Sequence, residues 1–423
     1  MRRALLAAFA VVLGCRPSRN EGAFRLRIAV VGPLTAVGPT DEPSASGYAQ
    51  EWVFDPVLRT ASDGSAISGL ASRFRFLNSA QVVVELREGA RFSDGSPVTT
   101  EDVRKSLHES RLEVREQSNG LLIESPSGAA VEPILRHDPI YRRIGNSYFG
   151  SGPFRVVSLD PEHLLLRRVV PAPGKIDEVL FLGFPTPRDP FARTLAGDAD
   201  LLIVSDPKQL EFFQGVARLR IIRGHGANAI AVGMGLHRLS RAARSAIAAA
   251  LPVANISRLV FGDECPPFPG GGDAKTAIPS KALDLTVIRN DLPLERTALA
   301  VARALGPLAR EIRFIPVSDV FPLLKGQDFD LVMLRPLVWP PSSAALVWAS
   351  DSPFNFLGYS NPHVDAALKA GDWARALQAL RDDPPVVFIC TPERLAVVDS
   401  RVKNPQVGPY GYLETLPDWE VVE

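Results

Sequence analysis

Apolar and polar side chains alternate along this chain in two rhythms. Val82, Val84 and Leu86 alternate with Val83, Glu85 and Arg87, a period of two that predicts a strand with one buried face. Gly89 lets the chain turn, and Asp94-Gly95 supplies a tight turn, since glycine tolerates the positive φ such turns need. Thr99 stands three residues before Asp102. Its hydroxyl and that carboxylate are therefore placed to satisfy the free N–H groups of a helix running through Val103 and Leu107.

The second rhythm is helical and falls between apolar strands. From Ile176 the text runs strand, helix, strand: IDEVLFLGF, DPFARTLAG, DADLLIVS. A second such crossover begins at LDLTVI (Leu283 to Ile288) and continues with a helix that places Leu294, Ala298, Val301, Ala302 and Leu305 on one face and ends at Gly306-Pro307. IRFIPV (Ile312 to Val317), a short helix capped by Ser318, and FDLVML (Phe329 to Leu334) follow. Helical crossovers between apolar strands imply mainly parallel sheets covered on both faces. Between the two sets, NAIAVGMG (Asn228 to Gly235) is an apolar strand relieved by glycines, and Ser240 is placed to cap SRAARSAIAAAL. Arg241 and Arg244 on that helix read as solvated. Arg25 to Val31 reads as an opening strand. Two α/β lobes are the natural reading.

Length and composition agree. About four hundred residues follow the N-terminal segment, more than the ~250–300 that a single core usually organises. Hydrophobic residues at 46% and charged residues at 22% fit an ordinary globular protein. With 47 basic and 47 acidic side chains the net charge is zero, which argues against a nucleic-acid partner. Arg2 and Arg3 precede an apolar run from Ala4 to Leu13, about half the length a membrane span needs, so residues 1–14 are expected to be an export signal. Val12-Leu13-Gly14-Cys15 resembles a bacterial lipobox. Cys15 would then carry the lipid, with 15–23 as a polar tether. Cys265 and Cys390 are the other two cysteines. They lie in separate segments and read as independent buried thiols, with pairing the alternative that an oxidising compartment permits.

The turn and capped helix carry a family resemblance. LREGARFSDGSPVTTEDV (Leu86 to Val103) resembles the LR-x-G-x-x-F-x-DG-x-P-x-T-x-x-DV run of the family 5 bacterial extracellular solute-binding proteins, the oligopeptide, dipeptide and nickel receptors of ABC importers. GSGPFRV, TLAGDADL, LSRAARSAIAAAL with NISRLVFGDECPPFPGG, YSNPHVDAAL and DDPPVVFI are similar to shorter segments of that family. The likeness spans Val53 to Val407. It implies a two-lobed, type II-like periplasmic-binding fold, with 24–229 plus 392–423 as the first lobe and 230–391 as the second. It further implies a periplasmic, lipid-anchored, monomeric receptor that captures a small molecule or short peptide and presents it to importer permease subunits. The alternative is a transport-inactive, receptor-like remnant that signals or scaffolds at the envelope.

No cofactor, metal or catalysis is expected. His108, His137, His163, His225, His237 and His363 are scattered, and none has a second ligand at metal-site spacing. There is no GxSxG elbow, no glycine-rich loop ending in Lys-Ser or Lys-Thr, and no GxGxxG after a strand.

Ligands of open α/β sheets bind at the carboxyl ends of strands. In the second lobe those ends are Arg289-Asn290, Ser318-Asp319 and Arg335-Pro336, with Trp339 and Trp348 just beyond the third. In peptide-binding members of the family, an aspartate three residues after a tryptophan anchors the ligand's ammonium group. Matching Trp339 to that tryptophan puts Ser342 at the anchor position, where a buried ammonium would find no carboxylate. Arg335 favours a carboxylate-bearing ligand, or else pairs with a structural carboxylate. Trp339 and Trp348 are candidates to line the cleft or to pack in a core. Tyr48, Asn228 and Tyr148 complete the expected binding set.

Overall fold

A computed structural model describes residues 24–39, 45–61, 63–186, 188–204, 206–262, 264–268, 282–409 and 411–422. The expected signal, lipobox and tether, Cys15 included, lie outside these residues. Among the described residues no helix is long and apolar enough to cross a membrane.

Strand Arg25–Val31 forms the middle of a seven-stranded sheet, parallel to Glu178–Phe184 on one side and Leu201–Val204 on the other. Outward from Glu178–Phe184 lies the antiparallel hairpin His163–Arg168 and Phe154–Leu159; outward from Leu201–Val204 lie Arg394–Asp399 and then Leu219–Gly224, both antiparallel to their neighbours. Leu26, Ile28 and Val30 enter the core on one face with Trp52, Phe154 and Phe181, while Ala29 faces a second core with Leu202, Val204 and Phe213. Both faces are therefore covered, which is why the buried stretch Ile28–Val30 is wholly apolar.

The second sheet has five strands, in the order Ala309–Ile315, Leu283–Ile288, Leu331–Leu334, Ile230–Met234, Val386–Cys390. The first three run parallel, and Ile230–Met234 runs antiparallel to both its neighbours. All five residues of Ile230–Met234 are buried. Ile230, Val232 and Met234 pack on one face with helix Leu292–Leu305, and Ala229 and Ala231 pack on the other with Trp348 and Phe388. The expected mainly parallel sheets are thus mixed. Helical crossovers announce only parallel pairs, whereas a hairpin, or a strand arriving from the other sheet, adds an antiparallel neighbour with no helix between.

A third, four-stranded antiparallel sheet combines Ala71–Asn78, Gln81–Leu86, Gly120–Glu124 and Glu113–Gln117. Val82 and Val84 are fully buried against Val103 and Leu107 of helix Thr100–His108. The expected cap is present: the Thr99 hydroxyl accepts from the Asp102 N–H at 3.3 Å, and the Asp102 carboxylate accepts from the Thr99 N–H at 2.9 Å. Ser240 likewise accepts from the Ala243 N–H at 3.2 Å and starts helix Arg241–Ala250.

Three sequence expectations give way. Ser318 caps no helix: the helix there is Val320–Gly326, and the Ser318 hydroxyl donates to Asp319 instead. Arg244 is buried, donating to the carbonyls of Pro384 and Leu239 at 2.9 Å and pairing with Asp383. A guanidinium is tolerated there because each of its edges finds an acceptor. Cys265 and Cys390 are joined as a disulfide, with Cα atoms 5.6 Å apart. The segment bearing Cys265 runs beside the last strand of the five-stranded sheet, where the Phe268 N–H donates to the Ile389 carbonyl at 2.9 Å. A separation of 125 residues conceals that adjacency in the sequence.

The chain passes between the two large sheets twice. Residues 225–229 lead from Leu219–Gly224 into Ile230–Met234, and residues 391–393 lead from Val386–Cys390 back into Arg394–Asp399. The crossings touch: a Cβ on Gly226 would sit 2.2 Å from the Pro392 carbonyl oxygen, so only glycine fits. The result is a two-lobed α/β architecture joined by two adjacent strands of chain.

Candidate functional site

The two large sheets, the short hairpin of strands Leu58–Thr60 and Ala66–Ser68, and helix Val131–His137 enclose a cleft of about 2060 Å³. Its walls come from helix Gly47–Val53, the hairpin around Arg59 and Thr60, both crossings, the carboxyl ends of strands Leu283–Ile288 and Leu331–Leu334, and residues 405–409, 411, 412, 414 and 415. Of the three strand ends named from the sequence, Arg289-Asn290 and Arg335-Pro336 line this cleft and Ser318-Asp319 does not.

Five of the seven expected binding residues line the cleft: Tyr48, Asn228, Arg335, Trp339 and Trp348. Their situations differ. Arg335 makes a two-pronged ion pair with Asp291, Nε to Oδ2 and Nη2 to Oδ1, both 2.8 Å. Asp291 also accepts from the Leu294 N–H at 3.1 Å, capping helix Leu292–Leu305. Burial opposes charge on both groups, but each outweighs that for the other: Asp291 is held below the usual carboxylate range and Arg335 above its ordinary value. The Arg335 charge is therefore already matched.

Asn228 ties the crossing together, donating to the Arg335 carbonyl at 3.0 Å and accepting from Arg394 at 3.4 Å. Trp339 packs on Gly64 in the turn between two short strands, where a Cβ would lie 3.1 Å from the indole, so the ring reaches across from one lobe to the other. Gly64 holds φ at +87°, which also favours glycine. Trp348 touches the cleft but is only 1% exposed and meets Phe388 edge-on at 5.8 Å, so core packing dominates. Tyr48 meets Tyr412 edge-on with centroids 6.0 Å apart, and burial raises its hydroxyl above the ordinary phenol range.

The other two lie elsewhere. Ser342 is exposed and outside the lining, whereas the neighbouring Ser343 is buried and lines the cleft. Tyr148 packs against Tyr141 at 5.7 Å, away from the cleft.

Sequence reading did not single out Glu51, Asp291, Arg394, Tyr412 or Glu414, all of which line the cleft. Arg394 donates from Nε to the Pro409 carbonyl at 2.9 Å and lies over the Tyr412 ring at 5.1 Å. Glu51 is raised to about 8 by burial, with the Glu414 charge adding to the effect. The one available signal was position, because Arg394 is the first residue after the second crossing. Among the described residues no group of three His, Cys, Asp or Glu side chains is placed to hold a metal ion.

No family model and no curated protein matches the chain. Solved structures do. NikA from Staphylococcus aureus, in complex with Ni(L-His)2, superposes with a TM-score of 0.73 at 15% identity, covering 92% of this chain and 98% of that one. The oligopeptide-binding protein AppA from Bacillus subtilis, in complex with a nonapeptide, gives 0.75 at 14% identity, covering 94% and 99%. AgaA from A. tumefaciens R10, in complex with agropinic acid, gives 0.77 at 14% identity, again covering 94% and 99%. The fold of this chain is the two-lobed fold of these binding proteins.

Proposed function

We propose that this protein is an extracytoplasmic solute receptor of an ABC importer, capturing a small organic ligand between its lobes without chemically changing it. The observation that carries this reading is the 2060 Å³ cleft, set at two adjacent chain crossings between otherwise separate sheets. Such an arrangement lets a ligand that touches both lobes stabilise a closed form, because its differential contacts with the two states shift the equilibrium. The crossings 225–229 and 391–393 serve as the hinge, with 24–229 plus 392–423 as one lobe and 230–391 as the other. Tyr48, Asn228, Arg335 and Trp339 contribute to the ligand surface. Cys15 carries the lipid that holds the receptor at the membrane, and permease subunits recognise the closed form.

The superposed proteins carry a nonapeptide, a nickel–histidine complex and agropinic acid. The fold therefore accommodates several ligand chemistries, and the cleft side chains must decide. A transport-inactive remnant would have little reason to keep a cleft of this volume lined by oriented polar groups, which supports the import reading over that alternative.

Native mass spectrometry of protein isolated from cells without unfolding tests the proposal. A small-molecule adduct that disappears on denaturation is expected, and a Trp339→Ala variant should retain less of it. Adduct-free protein whose melting temperature no metabolite fraction raises would sink the reading.

A further inference from the structure

Six arginines line the cleft: Arg59, Arg136, Arg223, Arg289, Arg335 and Arg394. Four are matched by carboxylates: Arg59 by Asp55, Arg136 by Glu132, Arg223 by Glu264 and Glu393, and Arg335 by Asp291. Arg289 is exposed and, among the described residues, reaches only the Phe314 carbonyl, at 3.3 Å. Arg394 differs from all of these. It is partly buried, and no carboxylate oxygen of a described residue lies within 4.0 Å of its guanidinium. Its orientation is nevertheless fixed on three sides, by the Pro409 carbonyl at 2.9 Å, Asn228 Oδ1 at 3.4 Å and the face of Tyr412 at 5.1 Å. Those contacts use Nε and Nη2. Among the described residues Nη1 has no acceptor.

Accordingly, we propose that Arg394 is the anion-recognising residue of the cleft and that the ligand carries an oxyanion, a carboxylate or a phosphate, which the Arg394 guanidinium receives. This deepens the receptor reading and rests on it. A guanidinium held by neutral acceptors and an aromatic face keeps its charge for a guest, whereas one paired to a carboxylate offers an oxyanion no net attraction. The nearby acids fit this. Glu51 feels Arg394 without pairing to it, and with its carboxyl raised to about 8 it holds its proton at neutral pH. The Glu414 carboxylate accepts from the Gly411 N–H at 2.6 Å. Arg335, the cation that sequence position favoured for this task, is excluded from it by Asp291.

Phenylglyoxal, which modifies accessible guanidinium groups, provides the test on the intact protein, with modified residues located by peptide mass spectrometry. Inorganic phosphate and acetate are added in separate arms at equal ionic strength, with sodium chloride and acetamide as controls. Phosphate or acetate should slow modification of Arg394 several-fold while leaving Arg75, on the exposed side of the four-stranded sheet, unchanged. Whichever arm protects better distinguishes a phosphate from a carboxylate guest. The same anion should raise the wild-type melting temperature, with affinity falling roughly 10- to 100-fold in Arg394→Gln and less in Arg394→Lys. Equal modification of Arg394 in every arm overturns the proposal, as does an anion response that survives Arg394→Gln. The labelling uses wild-type protein, so it decides even if the variants fold poorly. Loss of anion protection while a neutral compound still closes the lobes would refute this inference alone. If nothing closes them, the receptor reading falls with it.

Discussion

Asp291 does two jobs with one carboxylate: it caps helix Leu292–Leu305 and neutralises Arg335. Its removal costs a helix cap, about 1 kcal/mol, and strands a cation in the cleft wall. Asp291→Ala is expected to lose about 2–4 kcal/mol in urea unfolding at pH 7. Because the folded-state pKa of Asp291 is depressed, its contribution is present above the unfolded value, near 3.8, and fades as pH falls through the folded one. The gap between wild type and Asp291→Ala should therefore narrow below pH 3.8. Glu51 works in the opposite sense. Its carboxyl is raised from 4.5 to about 8, so the folded protein binds more protons than the unfolded chain in that window, and stability falls as pH rises through it. Glu51→Gln should remove that slope, which is at most about 1.4 kcal/mol per pH unit. Thermal melts from pH 4 to 9 read it directly, and an unaltered slope would contradict the assignment.

Helix Thr100–His108 shows how far sequence can reach at the scale of elements. Thr99 and Asp102 announce its start because capping is local chemistry, fixed by residues three apart. Thr99→Ala is expected to cost about 1 kcal/mol in chemical denaturation, and a change below the measurement error would mean the helix start is held by packing alone. The parallel strands were equally legible, since Leu283–Ile288 and Leu331–Leu334 are apolar runs separated by an amphipathic helix. What stayed hidden was non-local. Strand Ile230–Met234 gives no sign that it pairs antiparallel with a strand some 150 residues later, and Cys265 none that it meets Cys390. Arg244 looked solvated because its acceptors, Pro384, Asp383 and Leu239, come mostly from a distant segment. The cleft-lining residues divide the same way. Arg335 and Trp339 were found from strand-end position, while Ser342, one residue from the lining Ser343, shows that a match by spacing does not fix which side chain faces inward. Arg394 and Glu51 acquire their character only from neighbours that the fold supplies.

At the scale of the whole molecule, two sheets of seven and five strands each keep their own cores on both faces, and the chain joins them only through 225–229 and 391–393. Other contacts span the gap: Arg296 of the five-stranded lobe donates to Asp206 of the other at 2.6 Å, His137 meets Phe354 at 5.5 Å, Trp339 packs on Gly64, and Leu346 is buried in the core of the four-stranded sheet. These contacts must loosen for the lobes to part, while each lobe's buried interior resists deformation. Rigid halves with breakable bridges are what closure about a ligand requires. Small-angle X-ray scattering tests this most directly, comparing protein that retains its captured solute with the same protein after the solute has been stripped by unfolding and refolding. The account predicts a larger radius of gyration for the stripped form, reversed when the solute is restored. Identical curves with and without the solute would contradict it.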